Sequence, residues 1–167
     1  MSTTEIGTTA HLDVHGLTIE CRSESAVLTF ALVRPFKYFL RDEAKSRIQV
    51  FVKEEPPPYD LFPSLHASFV TPRNVVYRDG ARKIIDYFGK GVVLEEEHGD
   101  LYTIYSSDRN LLCEVFYLLV LSLLGQFCDK TGLLRIHALG LSYENKAILL
   151  LLPQGGGKST MAFSMLR

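Results

Sequence analysis

Six consecutive residues, Gly155-Gly156-Gly157-Lys158-Ser159-Thr160, join a turn free of side chains to one ammonium and two hydroxyls. Glycines reach backbone angles closed to other residues and let main-chain N–H groups come close to a polyphosphate. A helix starting at the lysine would aim its unpaired N–H groups, and about half a positive charge, at the same point. Lys158 would then reach the β- and γ-phosphates of a nucleotide, and the Ser159 hydroxyl would ligate Mg²⁺. The strict pattern, Gly-x-x-x-x-Gly-Lys-Ser/Thr, puts a glycine where Leu152 stands. That glycine starts the loop, whereas the amides that hold phosphate come mostly from the later positions, which are intact. The competing reading is a plain glycine-rich turn between a strand and a helix.

A second candidate is His137. The run 133–142 has the length and alternation of a strand, with Arg135 and His137 on one face and Leu134 and Ile136 on the other. Residues 143–146 make a short connection, and the apolar run 147–152 is the strand that feeds the loop. Leu152-Pro153 suggests that this strand extends to Leu152, with Pro153 fixing the exit direction. A histidine on such a hairpin can act beside the γ-phosphate, although most strand histidines are packed residues with a satisfied hydrogen bond.

The elements that must position these groups are legible from N- to C-terminus. Leu12, Val14, Leu17 and Ile19 mark a strand pair or one bent strand, with His15-Gly16 as turn or bulge. Ser23 or Ser25 can cap the apolar segment 26–33, which periodicity leaves open between helix and buried strand. Ile48, Val50 and Val52 alternate as in a strand, and Glu54-Glu55-Pro56-Pro57-Pro58-Tyr59 is an extended loop. From Asn74 onward, strand-length runs separated by Asp79-Gly80, Gly89-Lys90-Gly91 and His98-Gly99-Asp100 predict a β-meander. Asp108 is placed to cap, and Gly132 to stop, a long apolar helix over 111–128. It contains Glu114, and its strongest run, 115–124, is shorter than the roughly 20 residues a bilayer needs, so the expectation is a helix buried between layers and no membrane span.

Composition narrows the classes. The 167 residues suit one domain with or without an appendage, and 47% hydrophobic content with a net charge of −1 argues against disorder and against a nucleic-acid partner. Cys21, Cys113 and Cys128 form an odd, scattered set that fits a reduced, cytoplasmic protein. Residues 1–10 are polar and lack an apolar signal core. Glu95, Glu96, Glu97, His98 and Asp100 read as a solvated hairpin end, because adjacent carboxylates on a strand point to opposite faces.

The run RIHALGLSYENKAILLLLPQGGGKSTMAFSML within residues 133–167 resembles the start of the kinase domain of HPr kinase/phosphorylase-like proteins, the group related to phosphoenolpyruvate carboxykinase. His137-Ala138, the Glu144-Asn145 turn and the stretch 155–160 match in order and spacing, and the β-rich front part is similar to HPr-kinase-like proteins of peptide-modification clusters. The resemblance implies an α/β fold with α+β character: a β-rich part at 1–72, then a meander, a long buried helix and an incomplete P-loop kinase-like domain at 73–167. It implies ATP and Mg²⁺ as cofactors and phosphoryl transfer to a serine or other hydroxyl of a protein or peptide. Lys158 and His137 would be catalytic, Gly155, Gly156, Gly157, Lys158, Ser159 and Thr160 would bind the cofactor, and Ser159 would hold the metal. The family's acidic metal-binding and base residues lie beyond the loop, and the chain ends at Arg167. The expectation is therefore a truncated chain, inactive as a kinase on its own, whose uncovered apolar surface favours self-association. A transporter-type ATPase fragment and a non-enzymatic binding remnant with a vestigial loop are the alternatives.

Overall fold

The computed structural model describes residues 8–43, 45–96, 99–153 and 155–165. The chain is a mixed α+β structure that divides into two units, 1–127 and 128–167.

In the first unit, strands β1 (Thr9–Val14) and β2 (Leu17–Ser23) pair antiparallel. His15 and Gly16 hold φ of 55° and 96°, the left-handed angles a two-residue hairpin turn requires. The segment left open by periodicity is helix α1 (Ala26–Val33), and Ser25 decides it. The Leu28 amide donates to Ser25 Oγ at 3.2 Å, while Leu28, Thr29, Leu32 and Val33 turn inward. Ser25→Ala should therefore cost about 1 kcal/mol of stability, read as a shift in urea midpoint at unchanged slope. A 3₁₀ segment, Arg34–Phe39, then carries Pro35 in its first turn.

Next come β3 (Leu40–Arg41), β4 (Ile48–Lys53), β5 (Ala67–Val70), β6 (Val75–Asp79), β7 (Arg82–Asp86), β8 (Val92–Glu95) and β9 (Leu101–Tyr105). All nine strands form one sheet in the order β3-β1-β2-β4-β9-β8-β7-β6-β5. The meander expected from Asn74 runs antiparallel from β6 to β9. Strand β4 pairs parallel with β2 on one side and with β9 on the other. The division expected between 72 and 73 thus falls inside a single sheet, whose strands from either side of it are hydrogen-bonded neighbours.

One face of this sheet carries the main core. Leu12, Ile19, Cys21, Val50, Val52, Val93 and Ile104 pack with Leu28, Leu32 and Val33 of α1. The long helix is α2 (Arg109–Thr131), and it adds Leu112, Val115, Phe116, Val120 and Leu123 to this core. Both expected caps are present. Asp108 Oδ1 accepts from the Asn110 amide at 2.9 Å, and Gly132 (φ 71°) lets the Leu133 amide close on the Cys128 carbonyl at 2.9 Å. The helix is not buried on both sides, however: Tyr117 and Leu121 are exposed, because the sheet covers only one stripe of it. Among the described residues, α2 is the one helix long and apolar enough to cross a membrane by length and composition, and 39% of its most apolar stretch is buried inside the structure.

The proline-rich stretch is irregular up to a 3₁₀ turn at Tyr59–Leu61, as expected of a loop. It also covers the back of the meander, where Phe62 and Leu65 pack on Ile84, Val92 and Leu94, and Tyr59 donates to Asp86 Oδ1 at 2.6 Å. Glu95 and Glu96 are ion-paired with Lys83 and Arg82; Glu97 and His98 lie outside the described residues. The three cysteines are free thiols, and burial pushes the Cys21 thiol up to about 12.

The second unit contains the antiparallel pair β10 (Leu139–Tyr143) and β11 (Lys146–Leu150), followed by α3 (Lys158–Met165). Glu144 and Asn145 hold φ of 47° and 59°, which closes the hairpin in two residues. Two expectations are corrected here. Residues 133–138 are not strand, because the register set by Tyr143↔Lys146 ends at Leu139↔Leu150 and leaves earlier residues without a partner. The strand before the glycines stops at Leu150, not at Leu152.

Candidate functional site

The end of β11 delivers the chain, through 151–153, to the three glycines, and α3 starts at Lys158 directly after them. Each glycine has a physical reason. Gly155 and Gly157 both hold φ of 79°, an angle that strains residues bearing a Cβ. Gly156 is needed for space: a Cβ there would stand 3.0 Å from the Pro153 carbonyl oxygen and 3.1 Å from Leu152 Cβ. The Gly156 amide donates to that same carbonyl at 3.0 Å, so this N–H serves the turn itself. The first helical bond, from the Met161 amide to the Gly157 carbonyl at 2.9 Å, seats α3 on the third glycine. A helix beginning here leaves first-turn amides without intrahelical partners, and they open toward the turn.

His137, Gly155, Gly156, Gly157, Lys158, Ser159 and Thr160 together line one pocket of about 360 Å³. All seven residues singled out in the sequence meet there. His137 reaches it from the irregular segment before β10, and its side chain is exposed. Arg135, expected beside it on a strand face, is not part of the lining. The Lys158 ammonium folds back over the turn and donates to the carbonyls of Leu152 at 2.7 Å and Pro153 at 3.0 Å. Leu152, the departure from the strict motif, thus contributes its main chain to holding the lysine. Gln154 lies outside the described residues.

The pocket pairs a cation with N–H groups, hydroxyls and an imidazole, a donor-rich set suited to an anion. Ser159 offers a single hydroxyl toward a metal, and no cluster of three or more His, Cys, Asp or Glu residues occurs among the described residues. A Mg²⁺ ion held there would have the Ser159 hydroxyl as its protein ligand and would take the rest of its shell from phosphate and water.

Sequence reading missed one polar grouping in the first unit. His11 Nδ1 is 3.4 Å from Ser46 Oγ and 3.8 Å from Glu20 Oε2, and Arg22 donates to Glu20 Oε1 at 2.6 Å. The signal available was register: His11, Glu20 and Gln49 lie side by side across β1, β2 and β4. Serine and carboxylate both address the same ring nitrogen, so no proton relay runs through the imidazole and the grouping holds neighbouring strands together.

Comparison with protein-family models, curated proteins and solved structures finds no match to this chain.

Proposed function

We propose that the second unit binds the phosphates of ATP, as in HPr-kinase-like phosphotransferases, with the glycine turn and the start of α3 as the cradle. The observation that carries this reading is the convergence of the three glycines, two of them at positive φ, with Lys158, Ser159, Thr160 and His137 on one open pocket at a helix N-terminus. Lys158, released from the Leu152 and Pro153 carbonyls, would reach the terminal phosphates. Ser159 would ligate Mg²⁺, Thr160 would add a hydroxyl, and His137 would face the outermost phosphate. ATP supplies the transferable phosphoryl group, and the acceptor class is a serine or other hydroxyl of a protein or peptide. The protein's own contribution would be positioning and charge neutralisation.

Calorimetric titration of the full chain with Mg-ATP tests the reading, with saturable heat and a weaker response to Mg-AMP as the expected result. Absence of heat would overturn it. His137→Ala should lower Mg-ATP affinity severalfold and leave the melting temperature within about 1 °C, because the ring is exposed and its removal takes away no buried contact. A large loss of stability would instead make His137 a structural residue. A second reading, a vestigial loop in a binding protein, draws on the Lys158 ammonium being engaged by main-chain carbonyls. It predicts no response to nucleotide in either experiment.

A further inference from the structure

Helix α1 has an unusual composition for a helix at a surface. Its sequence, AVLTFALV, has one polar residue, Thr29, and that residue is fully buried, with its hydroxyl donating to the Ser25 carbonyl. The side turned to solvent is therefore entirely apolar: Ala26, Val27 and Phe30, with Val27 67% and Phe30 55% exposed. Surface helices of soluble domains put charged and polar residues there. In the 3₁₀ segment that follows, Tyr38 is 77% exposed. Phe36, stacked on Tyr117 of α2 at 5.5 Å, fixes this segment to the body of the unit.

Basic side chains accompany these apolar ones. Residues 25–41 contain Arg34, Lys37 and Arg41, all exposed, and no carboxylate, in a chain whose net charge is −1. Glu24 lies at one end of the stretch, and Asp42 and Glu43 at the other. The Lys37 ammonium lies over the Tyr38 ring at 4.8 Å, a long basic side chain beside an exposed aromatic. Arginine and lysine stems can lie along an apolar surface while their charged ends reach phosphate oxygens, and tyrosine favours the same boundary. An exposed apolar surface with basic side chains beside it offers the two contributions that hold a protein on an anionic bilayer: burial of apolar area and attraction to headgroup phosphate.

We propose that α1 and the 3₁₀ segment after it dock the first unit onto an anionic lipid bilayer, with Val27, Phe30 and Tyr38 entering the acyl boundary and Arg34 and Lys37 held by headgroup phosphates. The occupant is a lipid surface; a second copy of this chain and an acidic protein are the outcomes that would replace it. The proposal is independent of nucleotide binding in the second unit.

Flotation of the full chain with vesicles tests it, using equimolar phosphatidylglycerol and phosphatidylcholine against phosphatidylcholine alone. The expected result is binding to the anionic vesicles that weakens with salt. Arg34→Gln and Lys37→Gln should each lower the partition coefficient about 5-fold, since a cation near such a surface contributes about 1 kcal/mol. Phe30→Asp should abolish binding while preserving the circular dichroism spectrum, because the ring is not part of the core. The chain has no tryptophan, so Tyr38→Trp provides a single reporter whose emission should shift to the blue on anionic vesicles. Equal partitioning of the wild type and Phe30→Asp, or failure of the wild type to float, would overturn the proposal. So would sedimentation showing that Phe30→Asp only converts a dimer to a monomer.

Discussion

Phe116→Ala lowers the unfolding free energy of the first unit by about 3–5 kcal/mol. Among the described residues Phe116 is the largest fully buried side chain, and it lies where α2, the sheet and the 3₁₀ segment meet, with the Phe36 ring edge-on to it at 6.2 Å. Truncation removes the apolar transfer term and leaves a void that three elements of fixed backbone cannot close. The aromatic pair is lost as well. The melting temperature should fall by roughly 10 °C or more. Phe116→Leu keeps most of the volume and should cost less than about half as much. Chemical denaturation followed by circular dichroism measures both. Equal midpoints for the two variants would show that the position is not packed as described.

Lys158→Ala should weaken Mg-ATP binding by roughly 10- to 100-fold, the range expected when a charged hydrogen-bond donor to phosphate is removed. The ammonium is half-buried above the turn and is already oriented by the Leu152 and Pro153 carbonyls. A nucleotide would therefore exchange two neutral acceptors for charged ones and would not have to order a free side chain. The carbonyls left behind can bond to water, since Pro153 is exposed and Leu152 partly so, and the melting temperature should barely move. Calorimetry of both proteins separates the cases. Equal affinity would remove Lys158 from the site, and a collapse in stability would make it a brace for the turn.

How much of this was legible in the sequence depended on what each residue type constrains. His15-Gly16, Gly80 and Gly89 marked turns because few other residues take their φ values, and the strands between them followed. Asp108 and Gly132 bounded α2 correctly through their capping geometry. Alternation in β4 indicated which residues face the core and said nothing about its neighbours, so its parallel placement between β2 and β9 was not legible. The same blindness to partners made 133–138 read as strand. The apolar run of α2 overstated its burial, because hydrophobicity does not report how many sides a sheet covers. At the candidate site the contiguous motif was plain, while His137 was placed on a strand it does not join and reaches the pocket from irregular chain.

The position of β4 also bears on how the first unit assembles. The hairpin of β1 and β2 and the meander of β6 to β9 can each form from nearby residues. Joining them requires Gln49 to find Leu101 and Lys53 to find Tyr105, contacts between stretches half the unit apart. The entropy of closing so wide a loop is paid before any inter-strand bond rewards it. Insertion of β4 is thus the natural bottleneck in folding, and until it occurs the flanks of β2 and β9 stand as open edges that can capture strands from other chains.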